Sequence, residues 1–114
     1  MGDCIFCKII SGEIPVKKIY ENDDMLAFHD ISPQAPVHFL VIPKKHITNL
    51  MEVKKNDTPL LGKLLDKAQE AAKELGCGEK GARFVINCKS DGAQTVDHLH
   101  IHVLGGRQLA WPPG

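Results

Sequence analysis

The stretch His98-Leu99-His100-Ile101-His102-Val103-Leu104 alternates imidazoles with apolar side chains. That is the period of a strand with one face buried and the other lining something polar. Leu99, Ile101 and Val103 are expected in a core, with His98, His100 and His102 sharing the opposite face. At a strand rise of roughly 3.3 Å per residue, successive histidines on that face stand about 7 Å apart. An imidazole changes charge or offers a lone pair near neutral pH, and this row holds three of the chain's six histidines. One histidine on an apolar face is ordinary packing. Three in strict alternation predict a site.

The residues before the row fit a small mixed domain. Cys4 to Ile10 reads as a short helical turn ended by Ser11-Gly12. Lys18–Glu21 and Met25–Asp30 read as a hairpin around Asn22-Asp23-Asp24. Ser32-Pro33-Gln34-Ala35-Pro36 is a loop, and His38–Ile42 a strand stopped by Pro43. The long helix is expected from Thr58, as N-cap with Pro59 behind it, to Leu75, with Gly76 as terminator. Its apolar stripe is Leu60, Leu61, Leu64, Leu65, Ala68, Ala72 and Leu75. Ala82–Cys88 is a further strand, and the polar loop Lys89–Thr95 leads into the histidine row. These elements predict an α+β fold, an antiparallel sheet of about five strands with one long helix on one face and a short N-terminal helix.

Composition narrows the chemistry. The 114 residues suffice for one domain with its own core. Fourteen basic residues balance fourteen acidic ones, so no global field draws the chain to nucleic acid or an anionic membrane. No apolar run reaches membrane-spanning length, and the first residues lack a signal-peptide pattern. The expectation is a cytoplasmic protein with reduced thiols.

A neutral histidine can attack phosphorus without a separate base and form a covalent intermediate that water later opens. Flanking imidazoles would orient it and neutralise phosphoryl oxygens. The small polar loop Ser90–Thr95 suits backbone amides turned toward an anion. No Gly-rich Lys-Ser/Thr phosphate loop exists, which argues against a triphosphatase of that class. Cys4-x-x-Cys7 has three readings: a redox pair lacking its usual βαβ surroundings, two buried thiols, or half of a tetrahedral zinc site with His46 and His98 available.

The His-x-His-x-His pattern resembles that of the histidine triad superfamily. Phe28-His29-Asp30-Ile31-Ser32-Pro33, His38–His46, Leu104–Gln108 and the terminal Trp111-Pro112-Pro113-Gly114 look like its nucleotide-binding (Hint) branch. The likeness covers nearly the whole chain. It implies a single domain over residues 1–114, whose C-terminal tail, placed at 101–114, reaches the neighbouring subunit of a homodimer. The implied activity is hydrolysis of purine nucleoside 5′-phosphoramidates and related mixed anhydrides, with release of AMP or GMP. By position His100 resembles the nucleophile and His102 the flanking phosphate contact. His98 and His38 resemble the supporting histidines, and Thr95 a hydroxyl for leaving-group protonation. Asp30 resembles the ribose acceptor, and Ile5, Phe6, Phe28, His29, Ile31 and Leu40 the base pocket. Asn87, Ala93, Gln94 and Thr95 resemble the phosphate side, and Trp111 a residue contributed across the dimer. No organic cofactor is implied. Members with an early CxxC bind structural zinc, for which Cys4, Cys7, His46 and His98 are the matching residues. His98 would then orient, leaving proton handling to His102, His38 and Thr95. Ala93 departs from a frequent glycine, a cost of about 1 kcal/mol or more if its φ is positive.

Two other functions compete: a metallohydrolase holding catalytic zinc on His98 and His100, and a nucleotide-binding or scaffolding protein without turnover.

Overall fold

The computed structural model describes residues 3–114. Strands β1 (Lys18–Glu21), β2 (Met25–His29), β3 (Val37–Pro43), β4 (Ala82–Val85) and β5 (Ile101–Gly105) accompany helices α1 (Ile5–Ile10) and α2 (Thr58–Glu74). The strands form one antiparallel sheet in the order β1-β2-β3-β5-β4. This is the α+β architecture that the periodicities predict. No helix among the described residues is long and apolar enough to cross a membrane.

The sheet is apolar on both faces, and each face has its own cover. On one, Phe39, Val41, Leu99, Ile101 and Val103 pack against Leu64, Ala68, Ala71 and Ala72 of α2. The three alanines are small enough to let the helix backbone come close to the sheet. On the other face, Leu26, Phe28, Leu40 and Ile42 meet Phe6 and Ile9 of α1. A helix of six residues has too few internal hydrogen bonds to persist alone. It is held by that packing and by Cys4, whose sulfur accepts the Cys7 N–H at 3.3 Å. Gly12 closes it with φ +88°. The β1–β2 turn is fixed by Asn22, whose Oδ1 accepts the N–H groups of Asp24 and Met25.

Several boundaries differ from the sequence reading; β2 ends one residue early at His29, and β3 runs from Val37 through Pro43 instead of stopping before it. The histidine strand begins at Ile101, not His98. A longer ladder would set Leu99 against Pro43, which has no N–H. Instead the Leu99 N–H donates to Ile47 O at 2.7 Å and the His98 side chain takes Pro43 O. The alternation of faces persists through the unpaired residues, since Leu99, Ile101 and Val103 join the core under α2 while His98 and His100 stand against Phe6. β4 stops at Val85, whose pair with His102 is the last of the β4–β5 ladder. Residues 101–105 belong to the sheet, so the tail proper starts at Gly106.

The helix α2 is capped by Asp57 rather than Thr58, after a 3-10 turn at Lys55–Asp57. The Asp57 carboxylate does not bond the helix amides. It faces Lys45 Nζ at 2.7 Å and the Lys54 N–H at 3.2 Å, which hold its carboxyl below the usual range. Leu65 leaves the expected stripe and is 48% exposed, whereas Ala71 joins it. That contrast has a measurable consequence. Leu64→Ala is expected to lower unfolding free energy by about 2–5 kcal/mol, and Leu65→Ala by no more than about 0.5 kcal/mol, read from urea midpoints. Equal losses would misplace the helix face.

Candidate active site

The histidine row lies on the α1 face of the sheet, where β5 brings it beside β3. Leu40 pairs with His102 and His38 with Leu104. Phe6 of α1 stands edge-on to His98 and His100, with ring centroids 5.8 and 5.0 Å away. It separates two clusters of polar side chains, and the hydrogen bonds of each ring nitrogen fix the tautomers.

His100 Nδ1 is 2.7 Å from the carbonyl oxygen of His98. A carbonyl only accepts, so Nδ1 carries the proton and the lone pair of the neutral ring is on Nε2. His38 Nδ1 accepts the Gln34 N–H at 3.0 Å, which puts the His38 proton on Nε2. That nitrogen lies 3.0 Å from His102 Nδ1 and 3.5 Å from Asp30 Oδ2. His102 Nδ1 is therefore the acceptor, and its own proton sits on Nε2. Gln34, His38 and His102 thus form a one-way chain of hydrogen bonds. Arg107 braces it from outside by donating to Gln34 O through Nε and Nη2.

Burial holds the His100 and His38 rings below the ordinary imidazole pKa, with Asp30 opposing the shift at both. At His102, burial together with the neighbouring His100 and His38 pushes the value down to about 4. All three rings are neutral near pH 7.

A cleft of about 250 Å³ opens beside these rings. Its wall includes Ile5, Phe6, Phe28, Ile31 and Leu40, with Asp30, Thr95, His100 and His102 as its polar members. The Asp30 Oδ1 accepts the Ser32 N–H at 2.8 Å, which orients the carboxylate. Ile31 is 89% exposed at the rim. An apolar slot with a few convergent polar groups is the usual form of a small-molecule site.

The second cluster lies on the far side of Phe6. His98 Nε2 donates to Pro43 O at 2.8 Å, leaving a lone pair on Nδ1. That atom is 3.2 Å from His46 Nδ1, 3.4 Å from Cys4 Sγ and 3.7 Å from Cys7 Sγ. The four donor atoms all lie within 4.8 Å of one another. Two thiols and two imidazoles at such separations fit a closed tetrahedral zinc set. The Pro43 carbonyl supplies the outer hydrogen bond that commonly orients a metal-binding imidazole. Asp30, His38 and His102 also converge closely enough to share a cation, and His100 belongs to neither group.

The structure thus gathers His38, His100, His102, Thr95, Asp30, Ile5, Phe6, Phe28, Ile31 and Leu40 around one cleft. His29 points elsewhere: it pairs with Phe39, which packs under α2, while its neighbour Phe28 faces the cleft. Asn87, Ala93, Gln94 and Trp111 do not line the cleft, and Trp111 is 79% exposed.

The HIT domain profile matches residues 11–109. The chain belongs to the HIT domain family. It is 54% identical over 112 residues to an uncharacterized HIT-like protein of Synechocystis, covering 98% of this chain and 97% of that one. It is similar to the crystal structure of a HIT family hydrolase from Legionella pneumophila at TM-score 0.96 and 50% identity. That match covers 98% of this chain and all of the other. A histidine triad nucleotide-binding protein of Candida albicans matches at TM-score 0.82 and 33% identity, over 98% of this chain and 85% of that one.

Within this HIT fold, sequence reasoning missed the residues that act through backbone groups. Gln34, Pro43 and Ile47 carry no sequence mark of their roles, since each contributes an amide or carbonyl that every residue has. Ala93 has φ +59°, so this member holds an alanine in left-handed backbone, at a cost of roughly 1–2 kcal/mol.

Proposed function

We propose that the protein is a purine nucleoside phosphoramidate hydrolase that works through a nucleotidyl-histidine intermediate on His100. The observation that carries this reading is the His100 Nδ1 bond to the His98 carbonyl, which leaves Nε2 as a free nucleophile in a ring lining the cleft. The hydrolase and nucleotide-binding names of the Legionella and Candida relatives support it.

In this reading the purine lies between the apolar walls, where burial and stacking accept adenine and guanine alike. Asp30 accepts from the ribose hydroxyls, and the α-phosphate meets His100 and His102. The Nε2 lone pair of His100 bonds to phosphorus as the P–N bond breaks. Thr95 passes a proton to the departing amine. His102 donates from Nε2 to a phosphoryl oxygen, its ring held by the His38 bond behind it. Water then attacks phosphorus and gives up the proton that restores the Thr95 hydroxyl, the P–Nε2 bond breaks, and the nucleoside monophosphate leaves with His100 restored.

Cys4, Cys7, His46 and His98 would hold a zinc ion, whose contribution is a structural tie between α1, the segment after β3 and the start of the histidine row. The reading includes a homodimer in which the exposed Trp111 reaches the neighbouring cleft. Among the described residues the structure gives the catalytic-zinc alternative little support, because His98 and His100 present their lone pairs to different clusters.

Incubation with an adenosine 5′-phosphoramidate and rapid acid-free quenching is expected to show AMP release and a nucleotidyl adduct on His100. His100→Ala should abolish both while AMP still binds. Label on another side chain, or turnover surviving the substitution, would overturn the assignment. Metal analysis is expected to find about one zinc per chain. Stripping it should lower the melting temperature and leave adduct formation in the protein that stays folded. Loss of all adduct without unfolding would favour metal-based hydrolysis.

A further inference from the structure

We infer that Gln94 is a positioning residue for leaving-group protonation, acting through Thr95, and not a ligand of the nucleotide. The inference rests on the role proposed above for Thr95. The Gln94 side-chain amide is fully committed to backbone groups. Its Nε2 donates to Thr48 O at 2.8 Å and to Val96 O at 2.9 Å, and its Oε1 accepts the Lys89 N–H at 2.8 Å. A glutamine has two donor hydrogens. Both are engaged, so none remains for a phosphoryl oxygen. The residue also stands outside the cleft lining, while the next residue, Thr95, is part of it.

One of the three bonds, to Thr48 O, joins two segments that have no ladder between them, while the bonds to Lys89 and Val96 stay within the loop and its exit. Thr48 lies two residues beyond His46, and Val96 two residues before His98. Val96 O receives a further bond from the His98 N–H at 2.9 Å, and Ile47 O receives the Leu99 N–H at 2.7 Å. The Gln94 amide therefore anchors the loop at the point where it feeds Thr95 and then the histidine row. Within the loop, Gln94 N donates to Lys89 O and Ala93 N to Ser90 O, both at 3.0 Å. Those bonds do not involve the side chain. Removing the amide unties the loop from the 46–49 segment while the loop's own turn survives. Thr95 is the first cleft residue to feel that change.

The prediction separates substrates by leaving group. An amine leaves phosphorus only with a proton, whereas fluoride departs without one. Gln94→Glu keeps an acceptor for Lys89 and sets carboxylate oxygens against two carbonyls. Gln94→Leu removes all three bonds at similar volume. Proton donation by a placed group contributes about 10²–10⁴-fold, so a displaced donor is expected to lower kcat about ten- to a hundredfold on an adenosine phosphoramidate. On an adenosine 5′-phosphorofluoridate kcat should stay within about threefold, and the Kd for AMP should not change. Thr95→Val is the reference and should show the same selectivity. Equal losses on both substrates would reduce Gln94 to a general structural residue. Weaker AMP binding with unchanged kcat would make it a nucleotide ligand. Each result overturns the inference. If Thr95→Val is selective and neither Gln94 variant is, the Gln94 inference alone fails. If Thr95→Val has no effect on the phosphoramidate, the role of Thr95 fails and takes this inference with it.

Discussion

One hydrogen bond sets the chemistry of this site: His100 Nδ1 to the carbonyl oxygen of His98, at 2.7 Å. It decides which nitrogen of the central imidazole is free. The bond is possible because the chain before β5 lies outside the ladder, so the His98 carbonyl is not taken by a neighbouring strand. Pro43 gives its carbonyl to the His98 ring in place of a strand amide. The same short segment therefore holds His98 for one cluster and aims His100 at the other. Burial keeps the His100 ring neutral, which is the state in which a free Nε2 is a nucleophile.

The sheet acts as a partition. Its α2 face is a closed apolar core in which every histidine-row neighbour, Leu99, Ile101 and Val103, is anchored. Its α1 face is thinly covered by six helical residues, and that thinness leaves room for a cleft. α1 takes part in both polar clusters, through Cys4 and Cys7 on one side and Ile5 and Phe6 on the other. Phe6 lies edge-on to His98 and to His100, so its displacement would disturb the four-donor cluster and the cleft together.

Much of this is legible in the sequence because it rests on periodicity. The alternation from His98 to Leu104 assigns faces without reference to pairing, and it holds even where the ladder stops. Long-range backbone partners are not legible, since a carbonyl such as Pro43 O or Ile47 O has no side-chain signature. For the same reason the alternation alone predicts a start for β5 three residues before Ile101. Asp57 precedes the helix in place of Thr58, and its carboxylate is spent on Lys45 rather than on the helix amides. Leu65 fits the helical period, yet the helix turns it out to solvent. The ring tautomers and the engaged amide of Gln94 depend on contacts across 46 or more residues in some cases, which no local pattern encodes.

The central claim is that the neutral His100 ring carries its proton on Nδ1 and presents the Nε2 lone pair to the cleft. The most direct measurement is the ring ¹⁵N spectrum of the folded protein near pH 7, assigned by comparison with His100→Ala. The account predicts that Nδ1 resonates as a protonated, pyrrole-type nitrogen and Nε2 as an unprotonated, pyridine-type one. The opposite assignment, or a doubly protonated ring, would contradict it.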